Sequence, residues 1–160
     1  MSPIAWVATI LILAPTSSTA TTPAVVLPAN AVLLGEPTAS GLTRQCSRST
    51  PDFEATWTPS VAEILQLESD LGLLDASPQW PKRLKPSELL VRSRRQYVGL
   101  VNRGRRYIYL NAFPSSQGDK AEWHWLSRPY VMCDGGSAYW GLLYEPAKRE
   151  FTDVSFNGHG

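Results

Sequence analysis

Between Arg95 and Asn111 two β-forming runs stand back to back, Arg95-Gln96-Tyr97-Val98-Gly99-Leu100-Val101 and Arg105-Arg106-Tyr107-Ile108-Tyr109-Leu110-Asn111, separated only by Asn102-Arg103-Gly104. Residues of this kind prefer extended backbone, and a link this short can only turn the chain back on itself. The glycine supplies the left-handed position of a three-residue loop, with Arg103 at the exposed tip. A chain containing this hairpin is committed to an antiparallel sheet. No repeat recurs and strands do not alternate with helices, so a doubly wound parallel sheet is not expected.

Upstream, Thr58-Pro59-Ser60 opens a helix: Ser60 and Glu63 have capping-box spacing, and Ile64, Leu67, Leu71 and Leu74 form one apolar face. Gly72 and the stretch from Asp75 to Pro81 end it, and Ser87 to Leu90 is a further helical turn. Downstream, 123–126 and 130–133 read as extended, Asp134-Gly135-Gly136 as a turn, and 138–144 and 151–156 as two more strands. The expectation is an α+β fold, one N-terminal helix packed on an antiparallel meander sheet of four to five strands. It occupies residues 51–160 as a single domain, since 160 residues leave no room for a second.

Residues 1–20 read as a cleavable secretory signal. An apolar run from Ile4 to Ala14 leads into small residues at Ser18 and Ala20, although no Lys or Arg precedes it. The run is too short to span a bilayer, and no cysteine directly follows it for lipidation, so no stable membrane anchor is expected after cleavage. Residues 21–50, rich in Ala, Pro, Thr and Ser, read as a surface arm or leader. Cys46 and Cys133 are the two cysteines. They form no C-x-x-C pair, and in an oxidising compartment they are expected to join, restricting the unfolded chain by about 4 kcal/mol; two buried free thiols are the alternative. The expected location is periplasmic or secreted.

The net charge of +1 selects no partner, but its distribution is uneven: nine basic residues lie between Lys82 and Arg106 against one acid, Glu88. Acids gather around the helix, which raises the expectation of an electrostatically two-sided molecule. Alternation puts Tyr107 and Tyr109 on one face of their strand. With Arg103 and Arg105 they make a candidate binding surface for a protein or glycan, unless the tyrosines are ordinary core. Export argues against nucleic acid as a partner.

For catalysis the candidates are Asp134, in its glycine turn, and His124, between Trp123 and Trp125. A hairpin turn is the simpler reading of the first. No G-x-S-x-G elbow and no metal-ligand spacing occur, and no metal or cofactor is expected. Cys133-Asp134-Gly135-Gly136, Tyr139-Trp140-Gly141, Tyr144-Glu145-Pro146 and Phe156-Asn157-Gly158 together resemble a pattern in uncharacterised exported proteins of proteobacteria. That resemblance implies export and a small α+β domain, and no activity. The expected function is a non-catalytic binding protein, of inhibitor or immunity type, with a small hydrolase at the Asp134 turn as the alternative.

Overall fold

The computed structural model describes residues 26–116 and 124–158; the signal reading of residues 1–20 and the start of the arm fall outside them. The frame is a six-stranded, mostly antiparallel sheet. Its centre is the expected hairpin, β3 (Ser93–Asn102) and β4 (Arg105–Pro114), continued by β5 (Trp140–Glu145) and β6 (Glu150–Phe156) as an antiparallel meander in chain order. Two short strands complete it along the outer edge of β3. These are β1 (Ala31–Leu33), parallel to Arg95–Tyr97, and β2 (Ala55–Trp57), antiparallel to Gly99–Val101. The strand count therefore exceeds the expected four to five, and one pairing is parallel.

Among the described residues the sheet is accompanied by α1 (Ala39–Leu42), α2 (Val61–Asp70) and α3 (Pro86–Val91). The start of α2 follows from its sequence. The Ser60 hydroxyl accepts from the Glu63 N–H, and the Glu63 carboxylate accepts from the Ser60 N–H at 2.8 Å, so the helix end is internally satisfied. The backbone tightens into a 3-10 segment, Leu71–Ala76, which keeps Leu71 and Leu74 in line with Ile64 and Leu67. All four are at most 2% exposed, packed against Tyr97, Ile108, Leu110, Trp140 and Leu142.

The opposite face of the sheet is covered as well, which the sequence reading did not anticipate. Residues 34–53 cross it, seating Leu34, Ala39, Leu42 and Phe53 on Val98, Leu100, Tyr107, Tyr109 and Leu143. The expected surface arm is thus, from β1 onward, a layer of the domain. Beside it the 124–134 segment lays Trp125 on Phe113. Residues 124–125 form a helical turn and 130–133 an irregular run, where strands were expected. The disulfide Cys46–Cys133 joins these two covering segments. Beneath it a polar network anchors both: Arg48 donates to Asn157, Asn111 and Tyr109, while Gln96 and Asn111 bond backbone groups of Trp125, Arg128 and Tyr130. Side-chain amides can satisfy irregular backbone in this way where no ladder is available.

Candidate functional site

The β3–β4 turn is tighter than expected. Asn102 pairs with Arg105, leaving a two-residue loop in which Arg103 (φ 49°) and Gly104 (φ 70°) are both left-handed. Such a turn matches the twist of its strands, and only a glycine adopts its second conformation without strain. The Glu54 carboxylate accepts the Gly104 N–H at 2.8 Å and Asn102 donates to the Asp52 carbonyl, so the tip is braced from the β2 side. Arg103 is exposed, as expected.

Beside this tip β2 brings Trp57 onto the end of the sheet. Its indole N–H is shared between the carbonyls of Leu100 (3.2 Å) and Tyr107 (3.0 Å). Gly99 makes this approach possible, because a Cβ there would lie 2.1 Å from the Trp57 carbonyl oxygen. The Arg106 guanidinium sits 5.1 Å above the Trp57 ring centre, a cation–π contact.

Across the strand end, Glu145 at the close of β5 is 10% exposed in its side chain and is shared by Arg105 (3.4 Å) and Lys148 (3.1 Å). Those two cations remain about half exposed, at 51% and 49%. Deeper, the buried Asp70 of α2 accepts from the Tyr144 hydroxyl at 2.6 Å and from both sides of the Arg149 guanidinium. The Arg149 bond, with help from Tyr144, holds the Asp70 carboxyl below its ordinary range, while burial and the neighbouring carboxylate push the Tyr144 phenol well up. The β5–β6 turn is thereby locked to α2.

Between α2, the hairpin tip and the β5–β6 turn lies a cleft of about 630 Å³. The half-buried Trp57 and Pro146 form its apolar floor, the exposed Ala62 and Ala147 flank it, and Glu63, Gln66, Arg105, Arg106 and the buried Glu145 also line it. Clefts of this size, mostly apolar with a few convergent polar groups, commonly hold ligands or partner side chains. Among the described residues Arg103 and Arg106 meet no carboxylate and donate no hydrogen bond, while every acid around the cleft floor already has a partner: Glu145 its two cations, Glu63 the cap of α2, Asp70 Arg149 and Tyr144.

The sequence candidates divide. Arg105 lines this cleft and Arg103 stands at its tip, but Tyr107 and Tyr109 are 7% and 1% exposed beneath the 34–53 segment. The expected exposed tyrosine platform is corrected: alternation was right about the shared face, and that face is interior. Asp134 and His124 are both exposed, and among the described residues no hydrogen bond joins them. At Asp134-Gly135-Gly136, three successive residues have positive φ, but the Asp134 N–H donates to Ser47 and the Gly136 N–H to Gly158, so these donors are not free to nest an anion. The turn closes the chain against its neighbours.

The basic segment does not form one surface. Arg92 and Arg94 stand at the start of β3 and Arg103, Arg105 and Arg106 at its far end, about 30 Å away by strand rise. Between them Arg95 is buried in a bidentate pair with Glu68 (2.8 and 2.9 Å). The acids of α2 are spent on this internal matching, which corrects the expected two-sidedness. Trp57, Arg106, Glu145 and Lys148 were missed as a group. Gly99 was the available signal, since an isolated glycine inside a strand marks a place where something approaches closely.

Among the described residues no group of acids, histidines and cysteines is arranged to hold a metal, and no helix is long and apolar enough to cross a membrane. In comparison with known proteins, no family model, curated protein or solved structure matches the chain.

Proposed function

We propose that this is an exported, non-catalytic binding protein, periplasmic or secreted, which holds its partner at the cleft on the β3–β4 hairpin end. An inhibitor or immunity-type interaction protein is of this kind. The observation that carries the reading is the layering of charge there: half-exposed cations on the rim, a buried and shared carboxylate beneath them, and an apolar floor between. Desolvated apolar anchors ringed by charge are what protein recognition sites are built from.

Export is supported by the apolar leader of residues 1–20 and by a disulfide that belongs to an oxidising compartment. A rigid scaffold is supported by the double covering of the sheet, which holds the turn residues still without requiring any of them to move. The resemblance to exported proteobacterial proteins points the same way.

Capture from periplasmic and secreted extracts tests this, using the mature domain beside an Arg103→Glu/Arg106→Glu variant. Both residues lie outside the ion pairs, so the fold is expected to survive. A partner identified by mass spectrometry on the native domain and lost on the variant is the expected result. The same partner retained on both would remove this face from consideration.

A further inference from the structure

We infer that the cleft takes an acidic protein segment in which an Asp or Glu lies beside an aliphatic or aromatic residue, the apolar side chain entering the floor and the carboxylate meeting Arg105, Arg106 and Lys148. This rests on reading the cleft as a partner site and adds the chemistry of the occupant.

Three observations select it. The floor is Trp57 and Pro146, flanked by Ala62 and Ala147, and Glu63 beside them is engaged in the cap of α2, so this part of the cleft suits an apolar group. The rim is cationic where a ligand arrives: Arg105 and Lys148 stand outside Glu145, which is 10% exposed, so an incoming carboxylate comes closer to the two cations than to the acid beneath them. Arg106, 5.1 Å above the Trp57 ring centre and without a hydrogen-bond acceptor among the described residues, has guanidinium donors available for a bidentate carboxylate. The end of α2 contributes no anion site of its own, because the Ser60–Glu63 box already satisfies it.

A sulfated glycan or nucleic acid strand would engage the rim and leave the floor wet. A volume of about 630 Å³ has room for several neighbouring side chains of a peptide. A protein segment alone offers an apolar side chain and a carboxylate a residue apart.

The test uses the full mature chain with its disulfide intact and two probes: a displayed library of random dodecapeptides, and heparin oligosaccharide. The variants are Arg106→Glu, which reverses the rim, and Ala147→Trp, which fills the floor from an exposed turn; circular dichroism and melting check that both are folded. Enriched peptides are expected to carry an acid within two positions of an apolar residue and to bind each variant roughly tenfold or more weakly, with affinity falling as salt rises. Enrichment without acids, binding to either variant as tight as to the native domain, or no enrichment over the starting library overturns the inference. Heparin binding that Arg106→Glu abolishes, with no peptide enriched, keeps the cleft as a partner site and removes the protein segment. Failure of both probes removes both readings.

Discussion

Gly99→Ala is the substitution that interrogates most directly how the cleft is built. The new methyl would stand 2.1 Å from the Trp57 carbonyl oxygen, 2.8 Å from Pro59 Cδ and 2.9 Å from Trp57 Cδ1. Carbon and oxygen need more than 3 Å, so β2 must retreat by about 1 Å. Since β2 pairs with β3 through three residues only, and the Trp57 indole bonds span the same contact, the retreat breaks what positions it. An unsatisfied indole N–H and its lost bonds cost about 1–2 kcal/mol and the overpacking about 2 kcal/mol, together about 3–4 kcal/mol. In a domain of this length that lowers the melting temperature by about 10–15 °C. Gly104→Ala is the matched control: nothing lies within 4 Å of its added methyl, so only its φ of 70° is penalised, by about 1 kcal/mol. Melting followed by far-ultraviolet circular dichroism separates the two. Equal shifts, or a Gly99→Ala shift under about 3 °C, would show that Trp57 is not held as described.

Tyr144→Phe is expected to cost about 2 kcal/mol at neutral pH, because a fully buried phenol loses its bond to the Asp70 carboxylate. Asp70 has a depressed folded pKa, so its contribution is complete above the unfolded value and is lost as pH falls through the folded one. The Tyr144→Phe penalty should therefore shrink in urea titrations repeated from about pH 5 downward, and a penalty independent of pH would contradict the pairing. Replacing Cys46 and Cys133 together by Ser opens a crosslink spanning 87 residues, worth about 4.5 kcal/mol of unfolded-chain entropy. Hydrogen exchange should then quicken first in residues 39–49 and 124–134, which the bridge joins; uniform quickening across β3 and β4 would count against it as a local clamp. Arg95→Met and Glu68→Met should each destabilise by about 3–5 kcal/mol, since the two side chains are 6% and 13% exposed and either change leaves the other charge buried without its partner. Comparing their urea midpoints with that of the native domain decides it.

Local signals in the sequence were readable, and relations between distant segments were not. Ser60 and Glu63 marked the start of α2, and the spacing of Ile64, Leu67, Leu71 and Leu74 its buried face, because capping and periodicity act within a few residues. The cysteine pairing was legible from number and compartment. Ala31–Leu33 was not, because three apolar residues in an Ala- and Pro-rich stretch carry no period, and their parallel partner lies far along the chain. The exposure of Tyr107 and Tyr109 turned on whether residues 34–53 return across the sheet. Alternation in β4 tells only which residues share a face; the unbroken apolar run Tyr107-Ile108-Tyr109-Leu110 was the signal for burial on both faces.

That double burial also explains why the candidate site lies where it does. One face of the sheet carries α2 and the other the 34–53 and 124–134 segments, so neither offers a free surface. The outer edge of β3 is occupied by β1 and β2. The outer edge of β6 is interrupted by a bulge at Asp153, where φ is 52°, and its Val154 N–H is taken by Gln79; bulged and capped edges resist strand addition. What the scaffold presents with fixed geometry is its strand ends. At the end bearing Asp134 the turn is consumed in closing the chain on Ser47 and Gly158. At the other, Arg105 and Arg106 line the cleft, Arg103 stands at the hairpin tip and Lys148 shares Glu145 with Arg105, and two of the four cations have no carboxylate among the described residues. A guanidinium held over an indole beside a braced two-residue turn is a cation ordered in advance, so a partner's carboxylate does not have to supply that order when it binds.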